Sequence, residues 1–409
     1  MRVLHNTMTR SAALVGSAPV RTALGRRRDW AIARPRLGAI TGAAWIGPLL
    51  VVASTVAGWF AFADARGDGP VALGLFVGAA SIVLMAWSFL LAIRIRVLEP
   101  LFGGLDRMYQ VHRWAGSLAM LAMFLHVRIE PEIDGGILGA SRSVADSAEG
   151  LAGVGEYLLY GLVAISLIRW FPYRWWRLTH KLLGIPFAFA CWHFFTAEKP
   201  YANGSAWGWF FGTIMVTGLA SYLHRVVWRD MIRRGRSYTV VGAERQGTTV
   251  ELELAPKGRP IRHRAGQFAV LKVQQRGLSE PHPFTIASSP DSANLRFFIR
   301  DLGDWSAKLL DADLVGQTVL VEGPYGRFEP LAEPGHPTLW VAGGVGITPF
   351  LSAIDALPAA PVEQRPILVY CVGQRADATA IETLEAAEAD GRIVLHVMAS
   401  ADGNRLTPD

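Results

Sequence analysis

Four histidines stand at spacings that suit metal ligation. His112 and His126 lie 14 residues apart in one apolar stretch, and His180 and His193 lie 13 apart in another. A lone histidine in an apolar run is ordinarily a buried hydrogen-bonder. Four in two such runs are a different case, because ionisable side chains are costly inside a bilayer and mark function there. Neutral imidazole is a good axial ligand for haem iron, and two per iron give an electron-transfer centre. If the two stretches are helices running the same way, His112 pairs with His180 at one depth and His126 with His193 at the other. The spacings correspond to about 21 and 19.5 Å of helical rise, a match that lets two haems stack across a membrane. Fourteen residues return to nearly the same helix face, whereas thirteen do not. Pro186, between His180 and His193, offers a kink that restores the phase. His224 has no partner at matched depth. Arg94, Arg96, Arg107 and Arg113 are either neighbours of haem propionates or plain topology signals.

A second group of residues fits flavin and nicotinamide. His282-Pro283-Phe284-Thr285 and Gly303-Asp304-Trp305-Ser306 sit among short alternating segments at 238–243, 249–254, 268–273, 295–299 and 318–321. Short strands at this spacing predict a small β-barrel. A flavin needs an aromatic or imidazole wall, a hydroxyl near its reactive edge, and small residues around its pyrophosphate. His282, Thr285, Gly303 and Ser306 can supply them, although each taken singly is an ordinary strand or turn residue. From 338 the pattern turns to β/α. A strand over 339–342 leads into Gly343-Gly344-Val345-Gly346-Ile347-Thr348-Pro349, and a helix follows from 350. Glycines there let backbone approach a pyrophosphate at a helix N-terminus. The next strand, 367–371, runs into Arg375, which is either the cation for the 2′-phosphate of NADPH, favouring it over NADH, or a solvated loop arginine.

The elements that must position these residues follow from hydropathy and charge. The chain has 409 residues, 51% of them hydrophobic, and a net charge of +6. The long apolar runs crowd into 37–230, while 236–409 reads as an ordinary soluble chain. Spans about 20 apolar residues long are predicted at 37–63, 71–98, 110–128, 152–170, 175–197 and 206–228. Arginines cluster at alternate connections, for example Arg26–Arg28, Arg94 and Arg96, Arg174 and Arg177, and Arg225 and Arg229. The opposite connections hold Glu130, Glu132, Asp134, Asp146 and Glu149. That bias places the N-terminus and everything after residue 230 in the cytoplasm. It also explains the net charge without nucleic acid as a partner. Cys191 and Cys371 are the two cysteines, too few for a four-thiolate iron–sulfur cluster. Redox chemistry then falls to haem, flavin or another metal.

Together these residues resemble the ferric reductase and NADPH oxidase superfamily over roughly residues 40–400. The resemblance rests on His112/His126 with His180/His193, on His282–Thr285, on Gly303–Trp305 and on Gly343–Pro349, in that order. It implies a membrane all-α six-helix haem bundle (37–230) behind an Arg-rich segment (1–36). An FAD-binding β-barrel (236–330) and an α/β NAD(P)H-binding domain (336–409) would follow. The sequence ends before the Cys-Gly-Pro segment and aromatic C-terminus that the resemblance implies, so the nucleotide domain is expected to be incomplete. The implied cofactors are two b-type haems, FAD, and NADPH or NADH. The implied reaction carries electrons from cytoplasmic NAD(P)H across a bacterial inner membrane to dioxygen or a ferric chelate outside. A haem-bearing subunit relaying electrons to a periplasmic partner enzyme is the alternative, and it would have no use for the flavin–nicotinamide half.

Overall fold

The computed structural model describes residues 44–62, 69–129, 131, 133, 135–168, 170–232, 235–331, 338–358 and 365–403. The segment 1–36, the start of the first expected span, and the carboxylates Glu130, Glu132 and Asp134 lie outside the described residues. The chain divides into a helical unit, Gly38–Arg233, and a second unit carried by Arg234–Asp409.

The helical unit contains α1 (Ile46–Ala61), α2 (Gly69–Ala92), α3 (Leu105–Ile129), α4 (Arg142–Leu167), α5 (Tyr173–Lys181), α6 (Gly184–Thr196) and α7 (Ala206–Leu223). The last continues as a π-helical segment, His224–Ile232. Among the described residues, α2, α4 and α7 with its extension to Trp228 are long and apolar enough to cross a bilayer. Helix α2 is central. It is buried at every position from Ala79 to Ala86, which only an apolar, nearly featureless sequence tolerates, and it packs on α1, α3 and α7.

The expected fifth span is not one helix. It breaks between Lys181 and Gly184, where Leu182 N–H and Leu183 N–H donate to Thr179 and His180 carbonyls one residue short of helical register. Pro186 is the cause, since it has no N–H and its ring excludes the carbonyl four residues back, that of Leu182. Gly184 lets the start of α6 approach the later helix α7, because a β-carbon there would collide with the Tyr222 ring.

The second unit opens with six antiparallel strands: β1 (Arg236–Gln246), β2 (Thr249–Pro256), β3 (Phe268–Val273), β4 (His282–Thr285), β5 (Leu295–Arg300) and β6 (Thr318–Tyr325). Their order is β4-β3-β6-β1-β2-β5. The edge strands β4 and β5 approach each other, so the sheet curls into a partly closed barrel. Alternate side chains fill it, including Tyr238, Val240, Leu252, Leu254, Leu271 and Phe297. Helix α8 (Asp304–Leu310) lies between β5 and β6. A three-stranded parallel sheet follows, built from β7 (Leu339–Gly343), β8 (Ile367–Val372) and β9 (Val394–Ala399) in the order β9-β8-β7. Helices α9 (Thr348–Ala356) and α10 (Ile381–Ala389) make the crossovers.

Candidate functional site

The helical unit brings the four histidines together in two pairs. His112 of α3 and His180 of α5 have ring centroids 6.0 Å apart and planes at 64°. His193 of α6 lies within electrostatic reach of His126 of α3. The helices that carry the pairs do not pack closely on each other. Helix α3 packs chiefly on α2, and α6 on α4, so the imidazoles meet across a slot.

The ring nitrogens are already sorted. Nδ1 of His126 donates to Gly74 O at 2.9 Å. Nδ1 of His112 lies 2.9 Å from Ser88 O and 2.8 Å from Ser88 Oγ. Nδ1 of His180 lies 2.9 Å from Ser166 Oγ, whose own proton goes to Leu162 O at 2.7 Å. Ser166 must therefore accept from His180. In all three rings Nδ1 carries the proton, which leaves the Nε2 lone pair for a metal, the arrangement that metal-ligating histidines adopt. Nδ1 of His193 is buried without a partner among the described residues.

This donor set fits haem. Metal–imidazole bonds of about 2.0–2.1 Å set two ring centres roughly 6 Å apart when one metal lies between them, and the His112–His180 separation matches. Among the described residues no group of three or more His, Cys, Asp or Glu converges, and each pair would offer a haem two imidazoles. Around the first pair, Trp176 stacks on His180 at 5.0 Å and 18°. Tyr109 meets His112 edge-on at 6.2 Å, and Arg94 Nε donates to Tyr109 Oη at 2.6 Å. His224 opens the π-helical segment.

The flavin motif is itself an edge strand, β4, and strand alternation splits it. His282 and Phe284 face Trp305, at 4.2 Å and 5.7 Å between ring centroids. Pro283 and Thr285 take the other face. Trp305 is tied by its Nε1–H to Leu278 O at 3.2 Å. Ser306 is occupied locally, because its Oγ accepts from Leu302 N and Gly303 N at 2.9 and 3.0 Å. It caps the loop at Gly303 that starts α8.

The glycine-rich turn lies where expected, after β7 and before α9. Gly344 has φ +49°, while a β-carbon on Gly343 or Gly346 would meet nothing within 4 Å. Open space beside exposed backbone is what close approach of a pyrophosphate requires. Thr348 is buried and bonds Val345 O at 3.1 Å, and Pro349 occupies the first turn of α9. Arg375 is not solvated alone, since it pairs with Glu385 of α10 at 2.5 Å.

A helical unit with paired histidines, followed by a curled barrel and a glycine-turn α/β sheet, defines a membrane protein of redox-cofactor architecture. The ferric reductase like transmembrane component matches residues 77–191 and an FAD-binding domain matches 238–329. The first match holds His112, His126 and His180, and His193 stands two residues beyond it. The 2-halobenzoate 1,2-dioxygenase electron transfer component of Burkholderia cepacia is 33% identical over 124 residues, 29% of this chain and 36% of that protein. Ferric reduction oxidase 7, chloroplastic, of Arabidopsis thaliana is 34% identical over 126 residues, 26% of this chain and 17% of the relative. NADPH oxidase 3 of Homo sapiens is 29% identical over 175 residues, 40% of this chain and 28% of the relative. The chain thus spans little more than a third of these relatives at most. One chain thus joins a segment similar to the ferric reductase like transmembrane component to a segment similar to an FAD-binding domain.

Proposed function

We propose that the protein is a transmembrane NAD(P)H-dependent oxidoreductase that passes electrons from the cytoplasm, through FAD and two b-type haems, to dioxygen or a ferric chelate on the far side of a bacterial inner membrane. The observation that carries the reading is the sorted imidazole pair, His112 and His180 at 6.0 Å with both Nδ1 atoms engaged. Bound FAD supplies the conversion of a hydride into single electrons, and bound haem supplies one-electron carriage through the apolar layer. The chain's own residues bind and orient. Ser88, Gly74 and Ser166 hold the imidazoles. The His282–Trp305 stack offers an aromatic wall, Thr285 a hydroxyl, and Gly343 and Gly346 an open backbone for the dinucleotide.

The test is made on the full chain purified in detergent. Two b-type haems per chain are expected, with His126→Ala or His193→Ala losing one and keeping the other. NADPH-driven haem reduction, with superoxide and ferrous iron assayed in parallel, identifies the acceptor. A purified wild-type chain that binds no haem, or single-histidine variants that keep both, would sink the reading.

A further inference from the structure

Lys199 stands beyond the end of α6 and is only 3% exposed. Its ammonium donates to the carbonyls of Phe194 and Ala197, both at 2.9 Å, and of Phe195 at 3.3 Å. An ammonium has three protons, so all are committed and none remains for an external acceptor. Two further donors converge on the same helix end. Gly139 N–H reaches Thr196 O at 3.1 Å, and Asn203 Nδ2 reaches Phe195 O at 2.9 Å. A two-residue ribbon, Ile137–Leu138 against Glu198–Lys199, fixes the lysine there.

Capping alone does not call for a buried charge, because neutral donors such as Asn203 satisfy helix-end carbonyls without the desolvation penalty of an ion. No carboxylate pairs with Lys199 among the described residues. The helix end contributes only about half a negative charge, so a net positive charge stays buried in the protein there. It lies six residues beyond His193 in the chain and within electrostatic reach of it. Burial pushes the ammonium down to about 8, which leaves it mostly charged at neutral pH.

We propose that Lys199 is a positioning residue whose fixed charge raises the reduction potential of the haem held by His126 and His193, an inference that rests on the haem reading above. Reduction removes one positive charge from the iron, so a neighbouring cation favours the reduced state. The charge also biases electron flow toward this pair.

Redox titration of the full protein, followed by haem absorbance, tests this. The midpoint belonging to His126/His193 is identified by its loss in His193→Ala. Lys199→Gln keeps amide donors for the carbonyls and removes the charge. It should keep two haems and shift that midpoint to lower potential, leaving the other in place, and Lys199→Arg should return it toward the wild-type value. A Lys199→Gln protein with two haems and unchanged midpoints overturns the proposal. So does loss of the haem in both Lys199→Gln and Lys199→Arg, which marks a structural cap alone. A wild-type chain without haem would instead fail the parent reading.

Discussion

A β-carbon on Gly78 would stand 2.7 Å from Nδ1 of His126, so the absence of that atom is what lets the ring lie flat against α2. The same nitrogen donates to Gly74 O, one turn earlier on the helix. Gly78→Ala should therefore displace the imidazole. Alanine gains about 1 kcal/mol of helix propensity over glycine, but overpacking of this kind costs about 1–3 kcal/mol, and here the strain falls on a proposed haem ligand. One of the two haems should be lost or bound weakly, as read by haem content. Gly161→Ala, on α4 with nothing within 4 Å of its β-carbon, is the control and should keep both.

The two serines behind His112 and His180 are not equivalent. Ser88 offers His112 both a hydroxyl and a carbonyl, whereas Ser166 offers His180 only its hydroxyl. Ser88→Ala leaves Nδ1 a partner, and Ser166→Ala does not. Loss of an outer partner typically lowers metal affinity about 10–100-fold. Ser166→Ala should approach that range, with Ser88→Ala near wild type in haem retention during dilution. Equal effects would show that the carbonyl of Ser88 does not hold the ring.

Much of this arrangement was legible in the sequence because it depends on period and type. Apolar runs, the spacing of His112/His126 and His180/His193, and a glycine turn between strand and helix are local signals. What escaped was set by partners far along the chain. Ser88, Ser166 and Gly78 are ordinary helix residues until folding puts a histidine against them. Pro186 announced a kink, but the break falls at Leu182–Leu183 because the proline acts on the carbonyl four residues earlier. Ser306 looked available to a flavin, and folding also sets its hydroxyl to accept from Leu302 N and Gly303 N, which the sequence did not announce. His282–Thr285 reads equally as strand or turn residues until β3 pairs with them. Lys199 resembled any charge at the end of an apolar run.

Arg375 is held by Glu385, and the pair is more than half exposed on the arginine side, at 59% against 48%. An exposed ion pair is worth about 0–1 kcal/mol, whereas a hydrogen bond to a charged group contributes about 1.5–3 kcal/mol. A 2′-phosphate can therefore displace the carboxylate. Arg375→Ala should raise KM for NADPH about tenfold, the 1.4 kcal/mol step, and leave KM for NADH nearly unchanged. Glu385→Gln should lower KM for NADPH modestly by freeing the guanidinium. If Arg375→Ala moves both nucleotides alike, the arginine does not read the phosphate.

His263 gives the second unit a pH dependence of definite sign. Its ring is 7% exposed, Nε2 donates to Ser288 O at 3.1 Å, and Nδ1 is buried without a partner among the described residues. Ser352 Oγ donates to the same carbonyl at 2.7 Å, so the ring helps join the end of the flavin segment to α9. Burial holds His263 below the ordinary imidazole range, and the bond to Ser288 only partly opposes it. In the unfolded chain the ring takes up a proton near pH 6.5, while in the folded unit it resists. Between those two values the unfolded state binds more protons, so stability rises with pH there. The contribution is complete above about pH 6.5. It declines as pH falls through the lowered value, by up to about 1.4 kcal/mol per pH unit. His263→Gln keeps a donor for Ser288 O and cannot titrate. Hydrogen-exchange protection of β3 and β8 in the full chain should fall more steeply from pH 7.5 to 5.5 in wild type than in His263→Gln. Parallel curves for the two proteins would mean that another group carries the acid sensitivity.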